Sequence, residues 1–186
     1  MINHLKYILL IIFSSFSFAT TIHVATTGSD DSGDGTEGNP YATIQKGIDS
    51  SMDHDTVLVG VGEYFEHLVN VENIKIKSLN GPINTIINGE NEGTVIAIPR
   101  NGGQESLNIY LEGFTIKGGK TYGHEDFGDI GGGVGTISDL GNFDSLEVKN
   151  CIFDSNDVSI NATSNLMDGF IEITNSTFIS KGDVSN

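Results

Sequence analysis

The chain has 186 residues, room for one domain, and sets 25 Asp and Glu against 9 Lys and Arg, a net charge of −16. Such a surface repels nucleic acid and anionic lipid, so neither is expected as a partner, and it repels a polyanionic polysaccharide unless a divalent cation bridges the two. A lone Cys151 rules out an internal disulfide, and its place among apolar neighbours reads as a core thiol.

Residues 1–19 read as a secretory signal peptide. Lys6 gives the positive start, Tyr7 to Phe13 the apolar centre, and Ser17-Phe18-Ala19 a small-x-small cleavage site. The apolar run is too short to span a bilayer, and no later segment is long enough. The expected mature chain is therefore secreted, extracellular or at the cell surface, with no membrane insertion. It begins at Thr20 and carries 8 basic and 25 acidic residues, a net −17.

Thr21 to Ala25 alternates like an edge strand and runs into Thr27–Pro40, a loop rich in carboxylates and glycines. Asp30, Ser32, Asp34 and Gly35 fit the first half of a calcium loop, whose alternate side chains converge on one ion. The twelfth position, where that loop needs a bidentate acid, is Tyr41. Ca²⁺ held by Asp30 and Asp34 and a plain solvated turn both fit these residues.

From Tyr41 the apolar residues Tyr41, Ile44, Ile48 and Met52 recur three or four apart, which predicts an amphipathic helix of roughly three turns with Pro40 at its start. Short strands then follow: Val57–Val59, Leu68–Val71, Ile74–Lys77, Thr85–Ile87 and Thr94–Ile98. Three later segments share one pattern. Ile109–Ile116, Leu146–Phe153 and Ile171–Phe178 each place two alternating apolar residues before a Gly or Asn and a second alternating run after it. Alternation means strand, and Gly or Asn at 113, 150 and 175 marks a sharp bend. The recurring strand–bend–strand unit, in register in all three copies, predicts a β-solenoid rather than a sandwich, with the helix as cover for one open end. Coils are expected over residues 56–180 and a capping region over 20–55.

The run Gly28-Ser29-Asp30, Asp34 to Gln45, Asp55 to Val59 and Gly62-Glu63-Tyr64 resembles the opening of secreted bacterial proteins of the pectate-lyase-like superfamily, and the similarity extends from about Ile22 to Phe178. The resemblance implies an all-β, right-handed parallel β-helix with three strands per coil and a bend that is often Asn, as at Asn150 and Asn175. It also implies recognition or processing of an extracellular polysaccharide, by a lyase or a glycoside hydrolase if the protein is an enzyme. No residues here match the catalytic motif of either branch. Arg100, Lys120, Lys149 and Lys181 are the late bases available to a lyase, and Asp126 and Asp129 the nearest aspartate pair for a hydrolase.

The step from 113 to 150 is 12 residues longer than the step from 150 to 175, so the first holds an insertion over Gly118–Asp129. Insertions in solenoids gather on one face, often the binding face. Tyr122 and His124 are the candidate saccharide contacts, and Glu125, Asp126 and Asp129 are candidate calcium ligands. The last repeat ends near Phe178 without a polar capping unit, which predicts further C-terminal coils from a longer product or self-association. A non-catalytic scaffold or adhesin, or an inactive fragment of a larger secreted protein, are the alternative functions.

Overall fold

A computed structural model describes residues 19–98, 107–124, 128–136, 145–161 and 170–180. Residues 1–18, expected to belong to a signal peptide, and Arg100, Glu125, Asp126 and Lys181, lie outside the described residues. Strands, numbered in chain order, form three parallel sheets and one antiparallel hairpin. The first sheet runs β1 (Thr21–Val24), β2 (Thr56–Val59), β4 (Lys75–Ser78), β7 (Asn108–Glu112), β12 (Ser145–Lys149), β15 (Phe170–Thr174). The second runs β3 (Gly62–Phe65), β5 (Thr85–Gly93), β8 (Thr115–Gly119), β13 (Ile152–Asp154), β16 (Thr177–Ile179). The third holds β6 (Ile96–Ile98), β11 (Val134–Thr136) and β14 (Ile160–Asn161). From Asn108 onward the chain visits the first, second and third sheets in turn and then repeats the circuit.

Alternation along each strand sorts apolar side chains to one face, and parallel pairing stacks them into columns. Val57, Ile76, Leu111 and Val148 are matched across the first sheet, and all are buried. Tyr64, Ile87, Ile116 and Phe153 do the same in the second sheet. A slip of one residue would turn every one of these side chains outward, so burial fixes the register. The predicted bends are present: Gly113, Asn150 and Asn175 have φ of 85°, 50° and 50°. At this corner the backbone amide of Gly113 donates to Lys149 at 3.0 Å and that of Asn150 to Thr174 at 2.9 Å, tying each repeat to the next.

Two elements differ from expectation. The helix, α1, spans only Ile44–Asp49. Tyr41 is held as a strand bridge to Val24, with its amide donating to the His23 carbonyl, so the helix starts only after the Thr43 N-cap. Ser50 caps its other end, and Met52 is 71% exposed rather than part of the buried stripe. Gly47 lets α1 lie on β1 and β2, because a Cβ there would meet Val24 and Val57 at 2.8 and 2.9 Å. The second difference is Leu68–Val71, of which only Leu68 pairs, with Ile96; the left-handed Asn70 and Asn73 turn the chain away.

The last repeat is exposed where its counterparts are buried. Ile171, Ile173 and Phe178 are 45%, 40% and 49% exposed, against 0% for Leu146, Val148 and Phe153 in the layer below. No helix among the described residues is long and apolar enough to cross a membrane.

Candidate functional site

The outward positions of the first sheet form their own rows. Lys75, Tyr110, Glu147 and Glu172 are matched across β4, β7, β12 and β15, and beside them run Lys77, Glu112, Lys149 and Thr174. Parallel stacking thus gathers three of the chain's nine Lys and Arg residues around one ring. The ammonium groups of Lys149, Lys75 and Lys77 lie 5.1, 5.9 and 5.9 Å from the Tyr110 ring centre, within cation–π range. Tyr110 Oη donates to Glu112 Oε2 at 2.7 Å, the same oxygen that Lys77 meets at 2.9 Å, and Lys149 pairs with Glu147 at 2.7 Å. Half-exposed pairs of this kind are worth about 0.2–1 kcal/mol each, so their effect is to orient side chains more than to stabilise.

Of these residues Lys75, Tyr110 and Glu147 line a groove of about 460 Å³, completed by His54, Asn73, Asn108, Ser145 and Ala19. A polar ladder forms its floor. Asn73 Oδ1 accepts from the Asn108 amide at 3.1 Å, and Ser145 Oγ donates to Asn108 Oδ1 at 2.8 Å. The groove therefore offers an aromatic ring, the Lys75 ammonium, amides, a hydroxyl and a carboxylate within one concavity.

The electrostatics suit binding better than proton abstraction. Burial, then the hydrogen bond to Glu112 and the charges of Glu112 and Glu147, push the Tyr110 hydroxyl up to about 12. The Glu147 hydrogen bond likewise raises Lys149. A general base working near neutrality needs the opposite shift.

The carboxylates expected to hold calcium at the amino end are engaged by the chain itself. Asp30 Oδ1 accepts from the Ala42 and Thr43 amides at 2.8 and 3.1 Å, and its Oδ2 from the Thr43 hydroxyl at 2.7 Å. Glu66 takes the next two amides, Ile44 at 2.9 Å and Gln45 at 2.8 Å, while Thr43 Oγ1 takes Lys46. Amides that a helix start leaves without partners are thereby satisfied. Burial pushes the Asp30 carboxyl up, but the bonds from Thr43 and Ala42 outweigh it and hold Asp30 below its ordinary value. Asp34 closes a turn on Thr36, with bonds of 3.0 Å to the amide and 2.7 Å to the hydroxyl.

The insertion forms a hairpin of β9 (Thr121–His124) and β10 (Gly128–Gly131), with Tyr122 opposite Ile130, Gly123 opposite Asp129 and His124 opposite Gly128. It brings Tyr122, His124 and Asp129 onto one small ribbon between β8 and β11; Glu125 and Asp126 lie outside the described residues. The groove is lined by other residues. Among the described residues, no three His, Cys, Asp or Glu converge on a point that could hold a metal.

Cys151 is fully buried, and burial pushes its thiol up to about 11. It should resist iodoacetamide in the native state and react fully once urea unfolds the chain; native labelling would show that the repeat opens at this layer.

The groove escaped the sequence reading because that reading used the inward positions of each repeat and left the outward ones unaligned. The signal was present in Lys75, Tyr110 and Glu147, each between two apolar residues at the same place in its strand. No family model, curated protein or solved structure matches this chain.

Proposed function

We propose that the chain is a secreted, short right-handed parallel β-helix of the pectate-lyase-like kind that recognises an extracellular polysaccharide along the outer face of its first sheet. The three-sheet circuit supports the fold reading, since parallel strands joined by crossovers take the right-handed path almost without exception. The groove around Tyr110 carries the functional reading. A sugar presents hydroxyls that need both donors and acceptors, and a C–H face that rests on an aromatic ring; Asn73, Asn108, Ser145, Lys75 and Tyr110 supply both. Lys75, which lines the groove and forms no ion pair among the described residues, favours an acidic saccharide over a neutral one, against the acidic surface elsewhere.

Affinity electrophoresis in gels containing neutral or acidic polysaccharides tests this directly. Retardation by an acidic polysaccharide is expected, with apparent affinity falling at least tenfold in Tyr110→Ala, on the order of the ~1.4 kcal/mol that a tenfold change represents. Tyr122→Ala and calcium chelation, run in parallel, report on the hairpin. Equal mobility of wild type and Tyr110→Ala in every retarding gel would refute the groove.

The open last repeat favours a second property, self-association. We propose that two copies meet end to end. The opposite end is closed: β1 is bonded by Gly35 and Tyr41, and Gln45 of α1 bonds Val69 through both its amide oxygen and nitrogen. Among the described residues the β15 and β16 end is the exposed one, and two copies meeting through it make an isologous contact. It is also nearly uncharged, with Glu172 the one charged residue between Phe170 and Ser180. Sedimentation should show a concentration-dependent dimer that Ile173→Lys abolishes; a monomer at all concentrations would contradict it.

A further inference from the structure

The buried carboxylate of Asp55 has no part in the groove chemistry. It is 5% exposed. Its Oδ1 accepts from the Thr20 nitrogen at 2.7 Å and its Oδ2 from the Met52 amide at 2.9 Å. Among the described residues, Asp55 forms no ion pair with Lys, Arg or His. Burial pushes the Asp55 carboxyl up, but the bonds from Met52 and Thr20 outweigh it and hold it below its ordinary value, so the group is a charged carboxylate. Thr20 is also the residue that follows Ser17-Phe18-Ala19, the small-x-small pattern of a leader-peptidase site. Both Ala19 and Thr20 are exposed, so the bond between them is open to a protease.

We infer that the chain is cut between Ala19 and Thr20 and that Asp55 is a built-in receptor for the new amino terminus. Water adds across the peptide bond: the C–N bond breaks, Ala19 leaves as a carboxylate, and the Thr20 nitrogen gains protons to become an ammonium. A neutral donor 2.7 Å from Asp55 thus turns into a cation at the same place, and the buried carboxylate acquires its counter-ion only on maturation. Thr20 is also fixed through its carbonyl, which accepts from the Thr56 amide at 2.9 Å, so the ammonium is held at the start of β1. The cut removes Ala19 from the groove, whose titratable lining is His54, Lys75, Tyr110 and Glu147. The inference rests on the leader reading, and not on polysaccharide binding.

The test starts from the full chain secreted by a bacterial host. Amino-terminal sequencing and intact mass should give a chain that begins at Thr20; any other start overturns the proposal. The α-amino group is then titrated by NMR. An ordinary one titrates near 7.7–8.0, and that of Thr20 should titrate clearly above this range and return to it in Asp55→Asn. A chain made to begin at Ala19 has an amide at Thr20, and its own amino group should titrate in the ordinary range, with a lower melting temperature than the Thr20 chain. Should Asp55→Asn not fold, the wild-type titration and the Ala19 chain still decide. An unshifted Thr20 amine with Asp55 intact, or equal melting of the two chains, would overturn the proposal.

Discussion

Phe114→Ala should lower the free energy of unfolding by about 3–5 kcal/mol, whereas Phe178→Ala, in the last repeat at the inward position that matches Phe153 and Ile116, should cost about 1 kcal/mol or less. Phe114 sits directly after the Gly113 bend and is 0% exposed; Phe178 is 49% exposed and stacks on Phe153 at 5.0 Å with the rings 8° from parallel. Removing the first ring leaves a cavity that the strands on either side, held by their ladders, cannot collapse into. Truncating the second leaves a notch that water fills. With a total stability of 5–15 kcal/mol typical of a domain, the first change removes a large share of the whole. Urea unfolding of the three proteins measures the difference, and equal costs would mean that the last repeat is covered in solution.

The second large effect is expected at the amino-terminal cap. Asp30→Ala removes the acceptor of three hydrogen bonds and leaves the Ala42 and Thr43 amides, both part-buried, without it. A bond to a charged group is worth about 1.5–3 kcal/mol, and water replaces part of the loss, so a cost of about 2–3 kcal/mol is expected. The effect has a pH signature. Asp30 is held below its ordinary value of 3.8 in the fold, so the folded state binds its proton less readily than the unfolded chain. Its contribution is therefore present above that ordinary value and lost as the pH falls through the folded one. Glu66 has the opposite sign: burial, with a smaller push from Asp30, raises it against the bonds from Gln45 and Ile44. Its contribution is present below its ordinary value and lost as the pH rises through the raised one. Subtracting the urea midpoints of Asp30→Asn from those of wild type, from pH 7 to pH 3, isolates Asp30 from the change in overall charge. The gap should be widest at neutral pH and narrow in acid; a constant gap would show that the carboxylate charge is not what holds the cap.

The parallel sheets were legible because their signal is local and repeated. Each strand alternates, each bend uses Gly or Asn, and Leu146, Val148, Cys151 and Phe153 occupy the same inward places as Ile109, Leu111, Phe114 and Ile116. The helix was overread because a spacing of three or four cannot show that Tyr41 is drawn into a bridge with Val24. The loop carboxylates were harder still. That Asp30 holds the start of the helix depends on the proximity of Thr43, 13 residues away, which no local spacing shows. The groove depends on register: Lys75 and Tyr110 are 35 positions apart in the chain and become neighbours only when β4 and β7 pair.

The most direct test of the functional account is to map the site by NMR, titrating the ¹⁵N-labelled mature chain with oligosaccharides cut from the polysaccharide that retards it. Shifts centred on Asn73, Lys75, Asn108, Tyr110 and Ser145 are the predicted result. Shifts confined to the Thr121–His124 and Gly128–Gly131 hairpin, with the first sheet unmoved, would contradict it and return the site to the insertion.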